Sequence, residues 1–369
     1  MKRIDVGNQV AIITLDRKLT SEHEKELLDI SVSPAYGIQR ALILDFSGVA
    51  LLDNTGINAL VKLHAATTRT GTRLLATGLS KTYRDVFAVT GLDGGFHVCT
   101  SKAEFNRALG FIGGAAAKTI GNRLTTKGST KTIDAKCWAS PVKRLKTGKF
   151  KGDPINLNVD GRRTAGPIQG FGQLWEKTYR LDLSNTKLKP TRLVSIMKSN
   201  FPKFQPPENR FFPSAKGIKP GEIILINADT PGGLVVTGVL VLYVGKDTFT
   251  FITPEGHPEA GWVTFKALQE KRRVIFQIQG LARASDFVYE IAFRMAGSNL
   301  QRQIWTHVLK SFARYTGSSA RVQFSMQCLD TSLHIFNSFN VFRNAQILSM
   351  LHSLLNPRRN SKQAKKRKA

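Results

Sequence analysis

Residues 222–280 constrain this chain most. EIILINA, LVVTGVLVLYV, TFTFIT, WVTFKAL and RRVIFQIQ follow one another there, dense in β-branched and aromatic residues and separated by Gly, Pro and Asp. Strands joined by short turns make an antiparallel sheet, and such a sheet needs a second layer to cover its apolar face. The cover comes shortly afterwards. Ser298 is an N-cap residue, and from it Leu300, Ile304, Val308 and Phe312 recur every four residues, with Trp305 and Leu309 alongside, up to Gly317. The pattern predicts a sheet wrapped around one long helix. Upstream, GFGQLWEKTYRLDL (170–183) reads as a strand. KPTRLVSIMKSNF (189–201) reads as a helix with Pro190 in its first turn.

A chain of 369 residues exceeds one ordinary core. The first third has a different grammar. VAIITL (10–15), RALILDF (40–46), TRLLATG (72–78) and FHVCT (96–100) read as strands. Between and after them, SEHEKELLDI, residues 57–68, TYRDVFAVTG (82–91) and KAEFNRAL (102–109) read as helices. Strict alternation of strand and helix implies an α/β layer structure.

Charge separates the segments. The net charge is +28, yet residues 1–110 carry only +2. Residues 111–152 carry +9, residues 153–317 +9 and residues 318–369 +8. The stretch 113–152 is rich in Gly, Ser, Thr and Lys with weak periodicity, which reads as a basic flexible linker. NPRRNSKQAKKRKA (356–369) has seven basic residues and no acid, and reads as a disordered basic tail. Before it, SLHIFNSFNVFRNAQILSMLHSLL (332–355) is apolar with Arg343 as its only formal charge. It reads as a helical extension packed on the second domain, or as an interfacial segment or lid with the tail as its electrostatic anchor.

One tetrapeptide in the first domain carries functional weight: Asp53-Asn54-Thr55-Gly56, between an apolar strand and a helix-patterned run. Asp53 or Asn54 can cap the free amides of that helix, and Gly56 permits close backbone packing. A helix start also favours a negative group such as a phosphoryl on a neighbouring hydroxyl. Capping and a phosphorylation switch are both open on these grounds. The stretch ALILDFSGVALLDNTGINALVKL, with TGTRLLATGLSKTYRDVFAVTGLDGGFHVCTSKAEFNRAL after it, resembles the STAS domain, the fold of anti-sigma-factor antagonists. The resemblance covers residues 4–110. It implies regulatory contacts with a protein partner of anti-sigma-factor or kinase type, through Asp53, Asn54, Thr55 and Gly56. In that family the first residue after the Asp is commonly a phosphorylated hydroxyl. Asn54 takes that place here and cannot be phosphorylated, so the domain is expected to bind constitutively, to use Thr55 instead, or to act as a non-switching module.

The order strand, helix, multi-stranded sheet, long helix resembles the START-like, helix-grip superfamily. FTFITPEGHPEAGWVTFKALQEKRRVIFQIQGLARASDF is similar to a family of uncharacterised bacterial and plant proteins with that predicted fold, marked by a turn that reads here Gly256-His257-Pro258-Glu259-Ala260-Gly261. The resemblance implies a hydrophobic small molecule or lipid held between sheet and helix. Phe249, Phe251, Trp262, Phe265, Phe276, Ile304, Val308 and Phe312 are the expected lining. Glu255, His257 and Glu259 form the one tight acid/His cluster. They are candidates for acid/base or metal chemistry, but equally read as an exposed hairpin turn.

The chain is thus expected to hold a STAS domain (1–112), the linker (113–152), a START-like domain (153–317), an apolar extension (318–355) and the tail (356–369). No serine, cysteine or phosphate-loop motif argues for catalysis. No metal or cofactor is expected. Three cysteines without short spacing, no signal-peptide pattern and no run of about 20 apolar residues point to the cytoplasm. The expected function is non-enzymatic signalling, in which a ligand in the second domain modulates a STAS-mediated contact. The alternatives are a START-like enzyme using His257 and Glu259, or a basic protein that binds nucleic acid or an anionic membrane through its linker and tail.

Overall fold

The computed structural model describes residues 1–6, 10–32, 39–108, 130–150, 152–183, 186–271, 273–318 and 321–355. They divide into two compact units, residues 1–141 and 142–369.

The first unit is a five-stranded mixed sheet with helices. Its strands are β1 (Lys2–Val6), β2 (Val10–Thr14), β4 (Ala41–Asp45), β6 (Arg73–Thr77) and β7 (His97–Val98), adjacent in that order. β1 and β2 form an antiparallel hairpin, and the other pairs are parallel. Two short strands, β3 (Lys18–Leu19) and β5 (Leu51–Leu52), pair in parallel beside it. The helices are α1 (Glu24–Val32), α2 (Gly56–Thr68), α3 (Lys81–Thr90) and α4 (Lys102–Ala108). All five residues of β4 are buried, as a central parallel strand covered on both faces requires. Ser80 caps α3 through its side chain, and Gly91 ends it at φ 71°.

The second unit is an antiparallel sheet around a helix. β9 (Leu174–Asp182) precedes α5 (Pro190–Asn200). Then come β10 (Asn209–Pro213), β11 (Ile223–Thr230), β12 (Gly233–Val244), β13 (Thr248–Pro254), β14 (Glu259–Glu270) and β15 (Arg273–Ala284). α6 (Phe287–Ala292), capped by Asp286, continues through a π-helical turn (Phe293–Gly297) into the long helix α7 (Ser298–Tyr315), so Ser298 lies within a continuous helix and not at the N-cap expected there. The sheet order is β10-β11-β12-β13-β14-β15-β9-β16, with β16 at Val322–Asp330, and a two-residue strand, β8 (Thr164–Ala165), pairs with β13. α7 presents Val308, Leu309, Phe312 and Ala313 to the sheet, all fully buried. This is the helix-grip arrangement expected from the strand run and the apolar stripe.

Two segments depart from the sequence reading. Residues 130–150 of the expected flexible linker are docked: 130–141 pack on the first unit and 142–150 on the second. Periodicity could not show this, because the docking uses irregular backbone and a few anchors, chiefly Trp138 and Leu145, both buried. Residues 113–129 and 151 lie outside the described residues. In the extension expected to be helical, residues 322–330 form β16, an edge strand paired with β9. Phe324 turns inward, its ring 4.9 Å from that of Tyr179, while Met326 is half exposed. A nine-residue 3-10 helix (Ile335–Arg343) and α8 (Ala345–Leu355) follow. The tail, 356–369, lies outside the described residues.

Candidate functional site

At the start of α2, Asp53 acts as the cap. Its Oδ1 accepts hydrogen bonds from Thr55 N (2.9 Å), Gly56 N (2.9 Å) and Thr55 Oγ1 (2.6 Å). Thr55 Oγ1 in turn accepts from Ser21 N at 2.8 Å. The Thr55 hydroxyl is therefore engaged both as donor and as acceptor, and the residue is only 6 % exposed. Asn54 is fully buried. A Cβ on Gly56 would lie 2.1 Å from the Leu19 carbonyl oxygen, so only glycine lets α2 start against β3. The four residues singled out in the sequence meet at one helix start.

Sequence reasoning missed what lies beside that start. Asp134 accepts from Tyr83 Oη (2.9 Å) and from Trp138 Nε1 (2.9 Å). Tyr83 Oη accepts from Leu52 N, and Trp138 Nε1 also reaches the Leu52 carbonyl. Thr130 N and Ile133 N donate to the carbonyls of Ser47 and Ala50. The segment 130–138 thus runs along the 47–52 loop that leads into Asp53. Burial raises the Asp134 carboxyl above its ordinary pKa, and the nearby Asp53 charge adds to this, against the hydrogen bonds from Trp138 and Tyr83.

The second site is a cavity of about 80 Å³ between sheet and α7. Tyr179, Phe251, Trp262, Gly280 and Trp305 give its apolar wall, and Lys177, His257, Glu259 and Gln301 its polar end. Tyr179, Phe251 and Gly280 reach it through strand alternation on one sheet face. The polar groups pair with one another. Lys177 Nζ donates to Gln301 Oε1 (2.5 Å), Gln301 Nε2 donates to Glu259 Oε2 (2.7 Å), and Lys177 and Glu259 lie 3.5 Å apart. Tyr179 is the exception. It is 1 % exposed, and its hydroxyl has no hydrogen-bond partner among the described residues. Burial pushes its pKa up, and the Glu259 charge adds to the rise against that of Arg302. A Cβ on Gly280 would meet no heavy atom within 4 Å.

Of the expected lining, Phe251 faces this cavity, and Trp262 borders it from the strand position paired with Ile252, on the other sheet face. Phe249 and Phe265 instead stack on each other at 4.6 Å, and Phe276 lies 4.6 Å from Phe312. Val308 is buried in the same packed cluster, and Ile304 is half-buried on α7. Phe201, just past α5, is edge-on to Phe249, Phe251 and Phe265 and fills the centre of the sheet. The open space therefore lies towards the Lys177–Glu259 end. Tyr179, Lys177 and Gly280 were missed, although the alternation in LWEKTYRLD signals that Lys177 and Tyr179 share a face.

At the 255–258 turn, His257 Nδ1 lies 3.1 Å from both the Glu259 backbone N and the Glu259 carbonyl oxygen. Desolvation lowers the His257 pKa to about 4, against the opposing pull of Glu259. Glu255 is turned away from this pair, toward Arg163 and Arg343, each 3.6 Å off. Gly256 has φ 85°, and a Cβ there would strike the Arg343 carbonyl, so the turn also seats the later chain. Among the described residues no group of three or more His, Cys, Asp or Glu is placed to hold a metal ion, and no helix is long and apolar enough to cross a membrane.

Residues 3–100 match the family described as "Mlab, STAS domain", and this segment is a STAS domain. The second unit is an antiparallel sheet around a long helix, the architecture expected of a START-like fold. Among solved structures the chain is similar to the anti-sigma factor antagonist SpoIIAA in its unphosphorylated form, at 20 % identity, covering 30 % of this chain and 96 % of that one, with TM-score 0.26. It is similar to protein Ms6760 from Mycobacterium smegmatis at 11 % identity, covering 47 % and 98 %, with TM-score 0.29. It is also similar to major latex-like protein 151 from Panax ginseng at 10 % identity, covering 39 % and 99 %, with TM-score 0.28. No curated protein matches the chain.

Proposed function

We propose that this chain is a non-enzymatic regulator. Its START-like module takes a small apolar ligand with one polar atom, and its STAS module makes a regulatory contact with a protein partner of anti-sigma-factor or kinase type. The observation that carries the ligand reading is the unpartnered, buried Tyr179 hydroxyl in the wall of the cavity. A buried hydroxyl without a partner costs about 1–3 kcal/mol, and a ligand oxygen in hydrogen-bond reach removes that cost. Size narrows the class. At 80 Å³ the cavity has about six times the space one water needs and about half the volume of a cavity that takes benzene, which suits a molecule of at most one small ring better than a long acyl chain. On the STAS side, Asn54 and the doubly bonded Thr55 hydroxyl favour constitutive binding competence over a phosphorylation switch.

Calorimetric titration with phenol tests the ligand reading. Wild type is expected to bind it. Gly280→Leu fills the open space and is expected to abolish binding without lowering the melting temperature, since glycine is a weak residue in a strand interior. Tyr179→Phe keeps the shape and is expected to weaken binding about three- to tenfold. A wild type that binds no such probe, or a Gly280→Leu protein that binds it equally well, overturns the reading.

A further inference from the structure

The 3-10 helix 335–343 and α8 are built inside out. In a 3-10 helix residues three apart lie in one row. Asn337 and Asn340 form the inward row. Asn337 Nδ2 donates to the carbonyls of Ile168 and Gly170, and Asn340 Nδ2 to those of Gln169 and Ser285. Asn344 continues the series with a 2.9 Å bond to the buried carboxylate of Asp286. The outward row is Phe336, Phe339 and Phe342, exposed by 95 %, 72 % and 76 %. α8 repeats the scheme. Its buried anchor is Ser349, which accepts from Val236 N and Asn158 Nδ2, while Leu351, Leu354 and Leu355 face out.

Amides and a hydroxyl hold the polar side against the domain while six large hydrocarbon side chains remain in water. An exposed apolar surface of this kind marks an interaction site, and its charge setting indicates the occupant. From Thr331 to Ala369 the sequence has eight Lys or Arg and no Asp or Glu. Arg343, beside Phe342, is 45 % exposed. Arg162 is close enough that the Arg343 charge lowers its pKa, after the larger effect of burial. Glu255 is the acid that Arg343 and Arg163 share. Aromatic and leucine side chains bordered by an excess of cations over acids are the composition of an interfacial membrane anchor.

We infer that this face docks on an anionic lipid surface, with the rings and leucines at the headgroup–acyl boundary and the basic residues against the headgroups. The inference is independent of the ligand reading. It is tested by cosedimentation of the full chain with vesicles of equal parts phosphatidylglycerol and phosphatidylcholine, and with vesicles of phosphatidylcholine alone. Wild type is expected to bind the anionic vesicles, with affinity falling as salt rises. Phe336→Ser, Phe339→Ser and Phe342→Ser are each expected to weaken binding about tenfold. Their melting temperatures are expected to stay unchanged, because the rings are exposed. Combined Lys365→Gln, Lys366→Gln, Arg367→Gln and Lys368→Gln is expected to remove most of the salt dependence. A wild type that stays in the supernatant, or a triple serine variant that binds as wild type does, overturns the inference. So does self-association that the triple variant abolishes in a chain without vesicle binding, which would make the face a protein interface.

Discussion

Arg283 Nη2 lies 2.5 Å from Asp330 Oδ2, and neither side chain is more than 2 % exposed. Arg283 also donates to the carbonyls of Gly172 and Ser332, and Asp330 accepts from Ser332 N. One buried pair therefore ties β15, the approach to β9 and the end of β16 together. Burial alone would raise the Asp330 carboxyl, but the hydrogen bonds from Ser332 and Arg283, with the Arg283 charge, outweigh it and hold the pKa below the ordinary value. Arg283→Met leaves a buried carboxylate without its cation and is expected to cost about 3–5 kcal/mol. Arg283→Met with Asp330→Leu is expected to recover much of that loss. Urea unfolding of the three proteins checks both statements, and a single variant as stable as wild type would contradict them.

Val308→Trp separates packed core from cavity. Val308 sits in the cluster with Phe312 and is fully exposed to neither solvent nor cavity. Added bulk there is expected to cost about 1–3 kcal/mol. Thermal melting should show a clear drop for Val308→Trp and none for Gly280→Leu. Equal melting of the two would place the open space elsewhere.

The 130–138 segment should behave as part of the first unit. Trp138 is 5 % exposed and hydrogen-bonded to both Asp134 and Leu52. Trp138→Ala is expected to destabilise this unit by about 3–5 kcal/mol and to expose residues 130–141 to limited proteolysis. An unchanged cleavage pattern would show that the segment is held by other contacts.

Thr55 is expected to resist serine/threonine kinases, because its hydroxyl is committed to Asp53 and Ser21. Mass-spectrometric mapping after incubation with candidate kinases reads this directly, and stoichiometric phosphate on Thr55 would defeat it. Thr55→Ala removes both bonds and is expected to cost about 1–2 kcal/mol.

His257 predicts a pH effect. Its folded pKa of about 4 lies below the ordinary histidine value of 6.5, so the unfolded chain binds the extra proton first. Stability is fully present above pH 6.5 and falls as the pH drops toward 4, by about 1–3 kcal/mol for this residue. His257→Asn should flatten that slope. An identical stability profile for variant and wild type between pH 4 and 6.5 would remove His257 as its source.

The layers of both units were legible because they obey periodicity. Ile57, Leu60 and Val61 repeat at helical spacing in α2, and Val308 and Phe312 do so in α7. Asp53 to Gly56 were legible because capping chemistry is local. The cavity was legible in part. Phe251 follows from strand alternation, whereas alternation puts Trp262, paired with Ile252, on the other face, and Phe201 arrives from a separate helix and fills the space that Phe249 and Phe265 were expected to line. No local pattern encodes such a long-range filling. Asn337 and Asn340 invert the usual polarity of a surface helix, so Phe336 and Phe339 read as buried when they are outermost. The strand 322–330 was legible and was passed over: Val322, Phe324, Met326 and Cys328 alternate with Gln323, Ser325 and Gln327, but the run lies between the long helix and a longer apolar stretch that reads as helical.

β16 also sets an order of events during synthesis. β9 is the first long strand of its sheet to emerge, and it pairs on one side with β15 and on the other with β16. Its outer edge has no strand beside it until almost the whole module has left the ribosome. Through that interval the backbone groups of residues 174–181 form an open template for pairing with another nascent chain. Lys177 and Arg180 in that strand are cations placed where they discourage such pairing. The last strand made thus closes the first, and the buried Arg283–Asp330 pair can form only at that point, as a latch on completed synthesis.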